Sequence, residues 1–199
     1  MPAFLRVVCL LALLPFVHVT AHAAGTAPAD TVERLHATLL DTMQQADTLG
    51  YPGRVAKLSP ELQELFDFPT IARLVTGRHW PKIPDASKEK FIDVFARLSA
   101  ATYADNFKSF GGERFETRST EDKKSAQLVK TALVKPDGKE VSLNYLLARK
   151  DDLWRIVNVV ADGVSDLSLK RAEYTAVIGS EGIDALIAKL EAKVASYGR

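Results

Sequence analysis

The hydrophobic period of the chain changes twice, and these two changes limit the fold more than any other feature. Up to Phe110 apolar residues recur at helical spacing, and Gly111-Gly112 interrupts them. From Glu113 to Ala161 the period is close to two, and beyond Asp162-Gly163 it is helical again. Four strands are predicted at Arg114–Ser119, Gln127–Lys135, Lys139–Arg149 and Leu153–Ala161. Turns at Glu121–Lys124, Pro136-Asp137-Gly138 and Lys150–Asp152 separate them. Connections this short force antiparallel neighbours, so the strands form a meander. Helices first, four antiparallel strands next and two helices last make the class α+β.

Within the strands, Trp154, Ile156, Val157, Val159 and Val160 are aromatic or β-branched, which suits a strand covered on both faces. Val141, Leu143, Tyr145 and Leu147 alternate with Ser142 and Asn144, and Val129, Thr131 and Leu133 continue that apolar face on the preceding strand. The longest helix is expected from Asp85 or Ser87 to about Phe110. Phe91, Val94, Phe95, Leu98 and Thr102 form its stripe, and Tyr103, Phe107 and Phe110 extend the apolar surface. Ahead of it, a capping box at Asp30 and Glu33 opens a helix ending near Gly50. A second helix follows Pro52 to Asp67, a short one spans 70–76 behind Pro69, and Pro81 and Pro84 bracket a loop. After the sheet, Ser165 caps a helix with Leu167, Tyr174, Val177 and Ile178 on its apolar side. Gly179 ends it, and Ser180 caps a last helix striped by Ile183, Leu186, Ile187, Leu190 and Val194.

The first residues read as a leader. Arg6 gives a basic start, Val7–Val17 is an apolar run of signal-peptide length, and Ala21-His22-Ala23 is a small-residue cleavage motif. The run is too short, and broken at Pro15, to serve as a permanent membrane span. Residues 1–23 are therefore expected to be a signal peptide, 24–29 a flexible N-terminus, and 30–199 a single domain in the periplasm. Cys9 is the one cysteine and lies in the leader, so the exported chain has no thiol. Its 26 Lys and Arg against 25 Asp and Glu become equal once Arg6 is removed. A balanced charge of this kind argues against nucleic acid as a partner, because such binding rests on an excess of cations.

Signatures of chemistry are sparse. His36 and His79 are far apart in the exported chain and have no cysteine to join them, so no metal site or cofactor is expected. His36, on an amphipathic helix, reads as a surface or boundary residue. There is no nucleophile elbow and no glycine-rich phosphate loop. Asp151-Asp152 and Glu121-Asp122 fall in turns as solvated charge. The enzyme alternative reduces to Tyr103, Tyr145 and Asp93 as a proton-shuffling set; the expectation is a protein that is not an enzyme.

Two segments carry a family resemblance. WRIVNVVADGVS at Trp154–Ser165, followed by EGIDALIAKL, and FDFPTIARLVTGRHW at Phe66–Trp80 resemble the MlaC family of periplasmic phospholipid-binding proteins, also called toluene-tolerance auxiliary proteins. The stretch DGVSDLSLKRAEY looks closer to the hopanoid-associated HpnM branch. His79 stands where the family often has tyrosine, and Asn158 where it often has aspartate. The resemblance implies a curved, NTF2-like sheet cupped by helices. It further implies a carrier that encloses the tails of a glycerophospholipid and moves between an inner-membrane ABC-type complex and an outer-membrane complex. The HpnM-like motif implies a hopanoid or sterol-like polycyclic lipid instead. An adaptor with a closed core, docking a membrane complex through its helix flank, is the reading from a different class.

Each methylene moved into water costs about 0.8 kcal/mol, so two lipid tails amount to roughly 20 kcal/mol or more, and a soluble carrier must enclose them almost completely. The residues expected to do so are Phe68, Ile71, Leu74, Val75 and Trp80 from the Phe66–Trp80 segment, and Phe91, Phe95, Leu98 and Tyr103 from the long helix. The sheet is expected to add Val129, Thr131, Leu143, Tyr145, Leu147, Trp154 and Ile156, and the following helix Tyr174 and Ile178. Arg73, Arg78 and Lys82 read as a solvated flank.

Overall fold

The computed structural model describes residues 27–198; the signal peptide expected at 1–23, and residues 24–26 of the flexible segment expected after it, lie outside the described residues. The element order is α1 (Pro28–Gln44), α2 (Ala46–Leu65), α3 (Phe68–Thr76), a 3-10 helix (Gly77–Lys82) and α4 (Asp85–Asn106). Then come β1 (Arg114–Lys123), β2 (Ala126–Val134), β3 (Glu140–Lys150), β4 (Leu153–Ala161), β5 (Val164–Ser165), α5 (Asp166–Glu181) and α6 (Ile183–Ser196). The sheet is an antiparallel meander in the order β1-β2-β3-β4-β5, so the α+β class holds with five strands in place of four. The added strand is two residues long and pairs Val160 with Ser165 and Ala161 with Val164.

Several boundaries moved for identifiable reasons. The first helix starts at Pro28, two residues before Asp30, because proline is tolerated at the first turn. Asp30 is then the third helical residue, and its carboxylate accepts from the Ala27 N–H at 2.8 Å instead of leading a box with Glu33. The helix also breaks earlier than Gly50, at Gln45, and Gly50 (φ 57, ψ −176) instead kinks α2 in a conformation open to glycine. The segment around Pro81 is a 3-10 helix where a loop was expected. Helix α4 stops at Asn106, which leaves Phe110 42% exposed and off any apolar surface. At the other end α5 continues through Gly179 and Ser180 to Gly182 (φ 87), so Ser180 caps nothing. Ser165 does cap α5, accepting from the Ser168 N–H at 3.2 Å.

Two hairpin turns explain charges that had no role. Asp151 and Asp152 both take positive φ (49 and 61) between paired Lys150 and Leu153, the geometry of a two-residue type I′ turn. Asp162 and Gly163 do the same between β4 and β5.

Buried Val32, Leu35 and Leu39 of α1 pack over β1, β2 and β4, and α2, α3 and α5 also reach β4. Helix α4 lies behind them on α2, α3 and α6. The outer edge of β4 is occupied at one end by β5 and at the other by the α2–α3 junction, where the Asp67 N–H donates to the Ile156 carbonyl at 3.0 Å. Asp67 also caps α3 through Thr70 and meets Lys150 Nζ at 3.2 Å. Burial opposes its charge, but the hydrogen bonds from Thr70 and the Lys150 ammonium outweigh it and hold the carboxyl below its ordinary pKa.

Candidate functional site

Between the sheet and the helices lies a cavity of about 410 Å³. Its helical wall comes largely from α4, where Phe95, Leu98, Ser99, Thr102, Tyr103 and Asn106 repeat at i, i+3, i+4, i+7, i+8 and i+11 on a single face, with Phe107 just beyond. Leu62 of α2, Phe66, Phe68 and Ile71 close one end. The sheet supplies Leu143 and Tyr145 from β3 and Val157, Asn158, Val159 and Ala161 from β4.

The floor depends on a bulge. Tyr145 pairs with Val159 and Leu146 with Asn158, but Leu147 pairs with Ile156, so Val157 is an extra residue on β4. The bulge shifts the strand's alternation. Without it, Val159 and Ile156 would point to opposite faces; with it, both fall on the face that carries Tyr145 and Leu147.

The floor is also uncharged. The Tyr145 ring lines the cavity while its hydroxyl lies 3.1 Å from His36 Nε2 on α1, and the His36 ring stacks on Phe115 at 3.9 Å. His36 is therefore a buried residue, not a surface one, and burial lowers its pKa to about 4. Burial likewise pushes the phenols of Tyr145, Tyr103 and Tyr174 above their ordinary value. At neutral pH the imidazole and all three phenols are uncharged.

Charge is confined to the rim. Asp166, Lys170 and Glu173 of α5 and Lys193 of α6 line the opening, together with Leu167, exposed Leu169 and Tyr197. Lys170 is paired with Asp166. The Tyr197 hydroxyl is tied to Thr102 Oγ1 at 3.1 Å, which fixes the C-terminal end of α6 to the cavity wall. Such a site has a dry interior and a wet, mixed-charge mouth.

Eight of the expected residues meet here: Phe68, Ile71, Phe95, Leu98, Tyr103, Leu143, Tyr145 and Tyr174. The others are placed elsewhere. Val75, Phe91, Val129, Thr131, Leu147 and Ile156 are buried in solid core, Phe91 against Phe95 and Tyr174. Leu74, Trp154 and Ile178 are half-buried off the cavity, and Trp80 lies under Lys88, whose Nζ is 5.4 Å from the ring centroid. Asp93 is on the exposed side of α4, bound to Arg97 at 2.8 Å, so it does not join Tyr103 and Tyr145. Thr102 and Phe107 were visible on the apolar surface of the long helix but not as lining. Leu167 was visible on the apolar side of α5, whereas Leu169, Lys170 and Glu173 beside it have a mixed composition that no apolar pattern marks. Among the described residues no cluster of metal-ligating side chains forms, and no helix is long and apolar enough to cross a membrane.

Comparison with known proteins agrees with this architecture. The phospholipid-binding protein from Ralstonia solanacearum, solved in complex with a phospholipid, superposes with a TM-score of 0.78 at 16% identity, over 87% of this chain and all of that one. The intermembrane phospholipid transport system binding protein MlaC of Haemophilus influenzae is 22% identical over 122 residues, 59% of this chain. That alignment spans 57% of the relative's length. Residues 33–192 match the family model described as MlaC protein, which takes in the cavity-forming helices and the whole sheet, and by that match the chain belongs to the MlaC family.

Proposed function

We propose that the chain is a non-enzymatic periplasmic carrier that encloses the tails of a membrane phospholipid. It would carry that lipid between an inner-membrane ABC-type complex and an outer-membrane complex. The single observation that carries this reading is the cavity: about 410 Å³, floored by Leu143, Tyr145, Val157 and Val159, with its charged groups at the rim. That division matches a lipid, whose tails must leave water at about 0.8 kcal/mol per methylene while its headgroup can stay wet. The phospholipid named for the Ralstonia protein and the transport system named for the Haemophilus relative support the same cargo class. An adaptor with a filled core is disfavoured by the same cavity.

Native mass spectrometry of protein purified without detergent tests the proposal. A bound mass matching a diacyl glycerophospholipid is the expected result, and a fused-ring lipid mass would redirect the cargo to polycyclic terpenoids. Protein that takes up neither class from vesicles at any loading would defeat the carrier reading.

A further inference from the structure

Six side chains with hydroxyl groups line the cavity, and the protein itself engages four of them. Ser99 Oγ donates to the Phe95 carbonyl at 2.9 Å, and Thr102 Oγ1 donates to the Leu98 carbonyl at 2.8 Å. The Tyr197 hydroxyl is tied to Thr102, and the Tyr145 hydroxyl to His36. The hydroxyls of Tyr103 and Tyr174 have no hydrogen-bond partner among the described residues. Neither is sealed in apolar core, so each opens on the cavity.

Packing fixes both rings. Tyr174 is 2% exposed, held edge-on by Phe91 at 6.0 Å and Phe95 at 6.2 Å. Tyr103 stacks on Phe107 at 5.7 Å and meets Phe66 edge-on at 6.0 Å. Water in an unloaded cavity can accept from both phenols, but an apolar tail that displaces it strands two buried donors unless the cargo brings acceptors. Tyr174 stands on α5, the helix whose Asp166, Lys170 and Glu173 form the rim. Burial, with Asp166 added to it, raises the pKa of Tyr103, and burial with Glu173 and Asp166 raises that of Tyr174. Both phenols therefore remain donors at neutral pH, and both lie within reach of the rim charge. In a glycerolipid the acyl ester carbonyls occupy the same boundary, between dry tails and wet headgroup.

We propose that Tyr103 and Tyr174 select ester-linked cargo, each donating a hydrogen bond to an acyl carbonyl where the tails leave the dry floor. This rests on the carrier reading and narrows its cargo to acyl esters. Alkyl ethers of the same shape and headgroup are disfavoured, because an ether oxygen is a weaker acceptor than a carbonyl.

The test is a competition. Vesicles holding equal amounts of diacyl phosphatidylethanolamine and its dialkyl ether analogue of the same chain length are offered to the protein, and both bound lipids are counted by native mass spectrometry. Their ratio within one sample cancels any loss of folded protein. Wild type should take up ester over ether by about tenfold. Tyr103→Phe/Tyr174→Phe, which keeps both rings and loses both donors, should bring the ratio to about one. If the double variant retains too little lipid to count, the single variants Tyr103→Phe and Tyr174→Phe decide, each lowering the ratio by about threefold. Equal uptake by wild type overturns the proposal, as it must if the acceptor is the phosphate that both lipids share. A wild-type preference that survives in the variants overturns the assignment to these two phenols. A wild type that takes up neither lipid instead overturns the carrier reading on which the proposal rests.

Discussion

Replacing His36 and Tyr145 together by phenylalanine should remove a pH dependence that the buried pair builds into the fold. His36 is 4% exposed, with its Nε2 on the Tyr145 hydroxyl and its ring on Phe115. Burial lowers its pKa from 6.5 to about 4. Between those values the unfolded chain binds the proton and the folded chain does not, so stability is full above pH 6.5 and is lost as pH falls toward 4. The whole gap corresponds to about 3 kcal/mol, of which about 2 kcal/mol disappears between pH 7 and pH 5. Urea unfolding at pH 7, 6 and 5 measures it, and the difference between wild type and His36→Phe/Tyr145→Phe removes the contribution of carboxylates. At pH 7 the double variant should stay within about 1 kcal/mol of wild type because no polar atom is orphaned, whereas Tyr145→Phe alone should cost about 1–3 kcal/mol. Parallel pH profiles for wild type and the double variant would mean that His36 titrates as it does in water, and the argument for a dry, uncharged floor would fail.

Leu143 is half-buried on the cavity floor, so Leu143→Trp should occupy space meant for cargo and lower retained lipid by about tenfold while far-UV circular dichroism is unchanged; undiminished lipid in a folded variant would take Leu143 out of the binding surface. Asp152 holds φ 61 in the β3–β4 turn, and Asp152→Gly should raise unfolding free energy by about 0.5–1 kcal/mol. The ion pair it loses, to Arg149 at 3.2 Å, is solvent-exposed and contributes little. A destabilised Asp152→Gly protein would show that this pair, and not backbone conformation, dominates the turn.

The parts of the fold written in local pattern were legible. The switch of period at Gly111-Gly112 located the sheet, β4 appeared with its observed bounds, and the α4 stripe pointed Phe95, Leu98 and Tyr103 toward the cavity. Local pattern could not show where a strand slips phase. Trp154 and Ile156 were expected among the cavity lining, but Ile156 pairs with Leu147 and Trp154 with Arg149, while Val159, opposite Tyr145, and Ala161 complete the cavity floor. Nor can pattern separate a side chain that bounds a hollow from one that fills core. Phe91 and Phe95 are one helical turn apart on the same stripe, yet Phe91 is sealed against Tyr174 while Phe95 faces the cavity. Leu169, Lys170 and Glu173 of α5 were invisible for the opposite reason, because a rim that stays wet does not need to be apolar.

A hollow of this size also bears on stability. At about 24 cal/mol per Å³, 410 Å³ of dry, unfilled interior would cost about 10 kcal/mol, comparable with the whole net stability of a typical domain. The open, charged mouth at Lys170, Glu173 and Lys193 admits water and reduces that cost, but water gains little against Phe68, Leu98 and Val157. A ligand that fills the apolar part therefore stabilises the fold by binding it and not the unfolded chain. Delipidated protein should melt several degrees below the loaded form, and adding back diacyl phospholipid from vesicles should restore the higher midpoint in calorimetry. Identical midpoints for the two forms would mean that the cavity collapses when unloaded, and the walls described above would then be a product of cargo instead of a site waiting for it.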